Sequence, residues 1–361
     1  MNQNYYAIIM AGGIGSRFWP ISRTSYPKQF IDILGTGKTL IQSTYNRFLK
    51  ICPKENIYVV TNDSYIELVK TQLPDMEYSQ ILGEPVMRNT APCVAYGCFK
   101  ILSSNPDAVI TVAPSDHLIL DEAGFVSTIN QSLETAQKNQ CLITLGIMPS
   151  RPDTGYGYIQ YMEDVLDNAF HKVKTFTEKP TLEIATTFIQ SGDFLWNAGI
   201  FVWTAKAITE AFKKYLPDMH EIFDEANSVY NTSDEKAYVS RVYQQCINIS
   251  IDYGIMEKAE NVYVLPSEFG WSDLGTWASI YQLAEKDGEG NAAIPSDKVI
   301  LYESNNCMVN VPDEKLVIIQ GLNDYIVVEA NNTLLICPRS QEQNVKKVVA
   351  DVKQKFGTVY I

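Results

Sequence analysis

The mostly apolar run Tyr5 to Met10 passes directly into Ala11-Gly12-Gly13-Ile14-Gly15-Ser16-Arg17-Phe18-Trp19-Pro20 and continues to Pro27-Lys28-Gln29-Phe30. A short run of this kind reads as the buried first strand of a parallel sheet. The chain must then turn at the strand's carboxyl end. Gly12, Gly13 and Gly15 lack a β-carbon, so their main-chain N–H groups can approach an anion closely, and Arg17, Arg23 and Lys28 supply countercharge. Pro20 and Pro27 stiffen the return path and limit where Arg17 and Lys28 point. The junction therefore predicts a loop that holds phosphate. Gly12 to Arg17 lacks the Gly-x-Gly-x-x-Gly of a dinucleotide loop and the terminal Gly-Lys-Ser/Thr of a P-loop. Gly37-Lys38-Thr39 resembles a P-loop tail, but Asp32 stands where the first glycine belongs, so this segment reads as a turn before a helix.

A chain of 361 residues with 46% hydrophobic content can fill two domains. No apolar run approaches the roughly 20 residues of a membrane span, and Met1-Asn2-Gln3-Asn4 has no basic region leading into a signal peptide. The expected partners exclude a membrane, and the expected location is the cytoplasm. Seven scattered cysteines without a Cys-x-x-Cys pair fit reduced thiols, and three histidines argue against a histidine-rich metal centre. A net charge of −13 argues against nucleic acid. Yet residues 1 to 50 hold six cations and one anion. A cationic loop in an acidic protein points to a small phosphorylated ligand.

Along the chain, Leu40 to Leu49 has helical spacing, Ile57 to Thr61 reads as a strand and Ser64 to Leu73 as a helix. This alternation predicts a sheet covered on both faces. In Glu84-Pro85-Val86-Met87-Arg88-Asn89-Thr90-Ala91-Pro92, Asn89 or Thr90 caps a helix running to Leu102, with Pro92 in its first turn. A plain cap accounts for Thr90 and Pro92 but not for Arg88. The apolar strand Ala108 to Ala113 ends in Pro114-Ser115-Asp116-His117, which places Asp116 where a carboxylate can hold a metal or cap the next helix. Ala123 to Lys138 reads as a helix and Leu142 to Ile147 as a strand. In Asp153 to Ile159, Gly155 and Gly157 allow close approach and Tyr156 and Tyr158 offer faces suited to a sugar; a glycine-rich hairpin fits equally. Val173 to Thr177 leads to Glu178-Lys179-Pro180. The strand Leu195 to Trp203 contains Asn197 and Gly199, which are costly in a sheet centre unless a ligand uses them. Residues 205 to 247 read as amphipathic helix, and Ser250 to Lys258 continues that pattern. In Gly270 to Trp277, Asp273 is a second carboxylate for the same cation, or a helix cap before Leu274. From about Asn291, short β runs predict a second, all-β domain closed by a helix from Gln343 to Lys355, as a small β-helix or a sandwich.

Taken in order across residues 7 to 277, these motifs resemble the mannose-1-phosphate guanylyltransferase family, the GDP-mannose pyrophosphorylases among the sugar-phosphate nucleotidyltransferases. The remaining matches are Phe176-Thr177-Glu178-Lys179-Pro180, Trp196-Asn197-Ala198-Gly199-Ile200-Phe201, Ser250-Ile251-Asp252-Tyr253 and Gly270-Trp271-Ser272-Asp273-Leu274-Gly275-Thr276-Trp277. The resemblance implies an α/β fold: a Rossmann-like, mostly parallel sheet with helices on both faces over residues 1–290, and a C-terminal β domain over 291–361. Longer members carry a phosphomannose isomerase domain, for which this length leaves no room, so a single activity is expected. That activity is transfer of GMP from GTP to α-D-mannose 1-phosphate, giving GDP-mannose and pyrophosphate, with Mg2+ as cofactor and a homodimer as the assembly. Ala11, Gly12, Gly13, Gly15 and Ser16 would cradle the triphosphate, and Arg17 and Lys28 would neutralise the leaving pyrophosphate. Asp116 and Asp273 would hold Mg2+. Glu84, Pro85, Arg88, Asn89 and Thr90 would lie against guanine, the Glu84 carboxylate accepting from N1 and N2. Lys179 would orient the sugar phosphate, while Gly155, Tyr156, Gly157, Glu178, Asn197 and Gly199 would surround the sugar. The alternatives are a guanylyltransferase for another sugar 1-phosphate, a silent regulatory homologue, which should lack the charged residues present here, and a metal-dependent glycosyltransferase, which would lack the Arg17 and Lys28 loop.

Overall fold

A computed structural model describes residues 1–167 and 169–361. The chain forms two compact units: Met1–Gly12 with Thr44–Ser115 and Ile119–Trp271, and Gly13–Ser43 with Asp116–Leu118 and Ser272–Ile361. Compactness thus divides the chain differently from the expected sequence boundary at 290/291. The glycine loop after Gly12 packs with the C-terminal residues.

The strands are β1 (Tyr5–Met10), β2 (Ile57–Asn62), β3 (Ile81–Glu84), β4 (Val109–Pro114), the two-residue β5 (Leu118–Ile119), β6 (Leu142–Ile147), β7 (Gly157–Leu166), β8 (Phe170–Glu178), β9 (Phe194–Thr204) and β10 (Val262–Ser267). In the first unit nine of them form one sheet in the order β3-β2-β1-β4-β9-β6-β10-β8-β7. β1, β2, β3 and β4 are parallel neighbours, as are β6 and β10, while β9 runs antiparallel between β4 and β6 and β8 antiparallel to β10 and β7. Within this sheet only β8 and β9 oppose the common direction. Ile8 and Ile9, which point to opposite faces, are both fully buried, so both faces are covered.

Register decides which residues stand at the strand ends. Gly146 pairs with Asn197 and Ile147 with Trp196, which sets Asn197 level with the carboxyl end of β6 although it lies early in its own strand. Gly157 pairs with Glu178. The core beside the sheet joins Ile8, Val60 and Ile110 to the helices Thr90–Ser104, Ala205–Tyr215, Pro217–Asp224 and Glu235–Gln245. The expected helical stretch 205–247 is thus three α-helices with a 3-10 turn, Glu225–Ser228, after the second, which Pro217 starts. No described helix is long and apolar enough to cross a membrane.

The second unit continues beyond the short β11 (Trp271–Ser272) with β12 (Ala292–Ile294), β13 (Val299–Tyr302), β14 (Met308–Asn310), β15 (Val317–Gln320), β16 (Tyr325–Ala330) and β17 (Thr333–Pro338). β12, β14 and β16 pair in parallel, and so do β13 and β15. From β12 to β16 the parallel pairings skip one strand, which is the coil of a β-helix and not the antiparallel pairing of a sandwich. β17 turns back antiparallel on β16, and a helix spans Val345–Phe356. Phe18, Ile33 and Leu40 share one core with Leu274, Trp277, Ile280, Met308, Ile326 and Val328.

Candidate active site

In the second unit the glycine loop closes through a single helical turn, Ser16–Phe18, preceded by Gly15 at φ 66°. A β-carbon on Gly15 would stand 2.5 Å from Cβ of Lys28 and 3.3 Å from Oγ of Ser22, so the loop backbone lies directly on the Lys28 side chain. Ser22 Oγ donates to the Ile14 carbonyl at 2.7 Å and holds the turn. Lys28 is only 3% exposed. It is not the surface cation that a loop position suggests. Its Nζ lies 3.0 Å from Asp116 Oδ2, donates to the Asp273 carbonyl at 2.7 Å and stands 5.4 Å from the Phe18 ring centroid.

Gly15, Ser16, Arg17, Lys28, Asp116, His117, Asp273, Gly275 and Lys346 line one cavity of about 270 Å³. Burial alone would raise the Asp116 carboxyl; the Lys28 ammonium, with His117 and the hydrogen bond from Lys28, outweighs it and holds the group below the ordinary carboxylate range. Nε of Arg17 is buried with no acceptor among the described residues, which suits a donor that meets an anion. Asp273 Oδ1 accepts from the Gly275 N–H at 2.8 Å, in a turn that carries Leu274 at φ 45°. The helix-cap alternative for Asp273 does not hold: the helix spans Trp277–Leu283, and Glu342 accepts from its Ala278 N–H at 2.8 Å.

In the first unit Ala11 and Gly12 continue β1, Ala11 N–H donating to the Val60 carbonyl at 2.8 Å. A β-carbon on Gly12 would meet Glu84 Oε2 at 3.4 Å, and Tyr243 Oη lies 3.1 Å from Glu84 Oε1. Glu84 is 4% exposed, and burial, only partly offset by Tyr243, pushes it up to about 8. The carboxylate expected to lie against guanine is a buried group set beneath Gly12. Pro85 and Arg88 follow it half-buried, the guanidinium Nε 3.4 Å from the Tyr243 carbonyl. Asn89, at φ 68°, caps Thr90 N–H, and Thr90 Oγ1 accepts from Ile251 N–H at 2.9 Å. The cap reading accounts for Asn89, while the Thr90 hydroxyl ties the helix start to the Ile251 segment.

A second polar cluster stands at the carboxyl end of β6. Asn197 accepts at Oδ1 from Thr144 Oγ1 at 3.2 Å and from Gly199 N–H at 3.0 Å, and its Nδ2 donates to Asp252 Oδ1 at 2.7 Å. Gly199 takes φ 65°, which lets the chain fold back on that amide. A β-carbon on Gly157 would lie 2.5 Å from Glu178 Oε2, so Gly157 makes room for that carboxylate. Lys179, at φ 47°, pairs with Glu178 and donates its N–H to the Tyr156 carbonyl at 3.2 Å. Tyr156 packs edge-on against Trp196 and Trp271, with ring centroids 4.9 and 5.3 Å away. Tyr158 is fully buried and Gly155 N–H closes a turn on Asp153, so both serve the frame of the hairpin. Asp252, in a stretch whose sequence fits helix and core as well as function, was not named among the expected site residues, and its carboxylate joins this cluster through Asn197. Burial, reinforced by Glu178 and partly offset by Asn197, pushes it up to about 6. The available signal was its place in Ser250-Ile251-Asp252-Tyr253, one of the stretches that carry the family resemblance.

A profile described as nucleotidyl transferase matches residues 6–290, and one described as the MannoseP isomerase/GMP-like beta-helix domain matches 297–352. Over 358 residues the chain is 36% identical to a mannose-1-phosphate guanylyltransferase of Escherichia coli, covering 98% of this chain and 75% of that protein. The chain belongs to the mannose-1-phosphate guanylyltransferase family. A guanylyltransferase of the same description from Salmonella montevideo is 37% identical over 355 residues, covering 96% of this chain and 73% of that one. A solved structure from Thermus thermophilus, described as a mannose-1-phosphate geranyltransferase, superposes with a TM-score of 0.86 at 29% identity and covers 97% of this chain and all of that one. Membership in the guanylyltransferase family agrees with the β-helix coil seen after residue 291.

Proposed function

We propose that this protein transfers the guanylyl group of GTP to α-D-mannose 1-phosphate, giving GDP-mannose and pyrophosphate. The observation that carries this reading is the cavity on which Arg17, Lys28, Asp116 and Asp273, drawn from three separate stretches of chain, converge. A phosphate oxygen of mannose 1-phosphate attacks the α-phosphorus of GTP in line. One P–O bond forms as the bond to the β-phosphate's bridging oxygen breaks, and pyrophosphate leaves with the electron pair. No group on the protein has to form a covalent bond, so the protein's tasks are positioning and charge neutralisation.

Arg17 and the N–H groups of Gly13, Gly15 and Ser16 bind the triphosphate, and Arg17 and Lys28 meet the charge that develops on pyrophosphate. Asp116 and Asp273 fit Mg2+, because two hard carboxylate donors on one cavity are what this ion takes beside substrate phosphates. When bound there, the ion neutralises phosphate charge. Lys179 orients the sugar phosphate, and Glu178, Asn197 and Asp252 supply acceptors and a donor for sugar hydroxyls. Asp252 enters this set through its 2.7 Å bond to Asn197. Pyrophosphate release measured over a panel of nucleoside triphosphates and sugar 1-phosphates tests the reading. Turnover should be highest with GTP and mannose 1-phosphate, and a clear preference for another pair would replace it.

A further inference from the structure

The β-helix unit brings a charged group to the phosphate cavity that the expected roles do not use. Val345, at the start of the helix Val345–Phe356, is buried in a cluster with Trp19 and Leu335. The next residue, Lys346, lines the cavity with Arg17, Lys28, Asp116 and Asp273. One turn earlier Glu342 bonds Ala278 N–H and feels the charges of Arg17 and Arg339. The segment is anchored to the glycine loop. Trp19 Nε1 donates to the Tyr360 carbonyl at 2.6 Å, and an Arg23 guanidinium nitrogen donates to the Asn331 carbonyl at 2.9 Å and to Thr333 Oγ1 at 3.1 Å.

Charge balance gives this position its meaning. Arg17 and Lys28 are offset by Asp116 and Asp273, and Lys28 is already paired with Asp116. A nucleoside triphosphate brings several negative charges into that cavity. Lys346 adds a third cation, on a long stem, to the side chains that line it. We propose that Lys346 binds the β- and γ-phosphates of the nucleotide, and the pyrophosphate product, from the C-terminal helix. This rests on the reaction proposed above and makes the β-helix unit a working part of the phosphate site.

The test compares Lys346→Ala and Lys346→Arg with Lys347→Ala, the next residue on the helix, which is exposed and outside the cavity lining. Kinetics are measured in both directions: GTP with mannose 1-phosphate, and GDP-mannose with pyrophosphate. Lys346→Ala should raise KM for GTP and for pyrophosphate roughly tenfold, the scale of one charge-assisted hydrogen bond. KM for mannose 1-phosphate and GDP-mannose should stay near the wild-type values, Lys346→Arg should recover most of the loss, and Lys347→Ala should match wild type. An unchanged KM for both GTP and pyrophosphate in Lys346→Ala overturns the proposal, as does a loss shared equally by all four substrates, which marks a structural role. A wild-type protein that makes no GDP-mannose overturns the reaction itself, and this assignment with it.

Discussion

Glu84 ends β3 with 4% of its surface exposed, one oxygen bonded by Tyr243 and the other beneath Gly12. Its carboxyl is raised from 4.5 to about 8, so between those values the folded chain keeps a proton that the unfolded chain releases. A raised carboxyl stabilises the fold at low pH, and that contribution is lost as pH rises from about 4.5 towards about 8. Asp252 acts in the same direction, but its window closes near 6. Glu84→Gln keeps the size and a hydrogen bond without the titration. Thermal melts across this range should show wild type losing stability relative to the variant above pH 6, where the slope belongs to Glu84; parallel curves would show that Glu84 ionises freely. Gly15 and Gly13 make a second comparison. Gly15 has φ 66° and Lys28 Cβ against its missing β-carbon, whereas nothing described lies within 4 Å of a β-carbon on Gly13. Gly15→Ala should cost about 1–3 kcal/mol in chemical denaturation and most of the turnover, because it displaces Lys28. Gly13→Ala should leave the melting temperature near wild type. Both glycines were legible as a phosphate loop; which one is conformationally required was not, since that depends on where Lys28 returns.

At the scale of elements, apolar runs marked the strands, and register placed their chemistry. Leu195 to Trp203 reads as a buried strand from composition alone, but its antiparallel course, which sets Asn197 level with the end of β6, comes from pairing with β4 and β6. The Asp116 segment and the Asp273 turn line one cavity although the stretch Ile119–Trp271, which carries β6 to β10, separates them in sequence. If both hold one Mg2+, Asp116→Asn and Asp273→Asn should each remove most turnover, and the double variant should lose little more than either alone, because groups acting as a unit are not additive. Turnover is counted per folded molecule, since Asp116→Asn also leaves Lys28 without its ion pair. Chelation with EDTA should abolish activity and added Mg2+ restore it. Full activity in EDTA, or losses that simply multiply in the double variant, would assign the two carboxylates to separate tasks.

At the scale of the whole molecule, residues on both sides of the boundary near 290 share one core. Phe18, Leu274 and Trp277 lie in one core with Met308, Ile326 and Val328, and Arg23 bonds main chain and Thr333 beyond residue 329. A chain ending at residue 290 should therefore expose that core, aggregate on expression and show no turnover; a soluble, cooperatively melting and active fragment would contradict this. The amino-acid sequence by itself determined the α/β class, the glycine loop, the β-rich C-terminal segment and the family, because strand and helix periods, glycine freedom and ordered motifs are local properties. Only the tertiary structure decided that Lys28 is buried against Asp116, that Glu84 is buried beneath Gly12, that Asp252 joins Asn197 and that Lys346 lines one cavity with Arg17 and Lys28. The physical reason is that desolvation and charge pairing are set by groups distant in sequence, and no local pattern records which of them will meet.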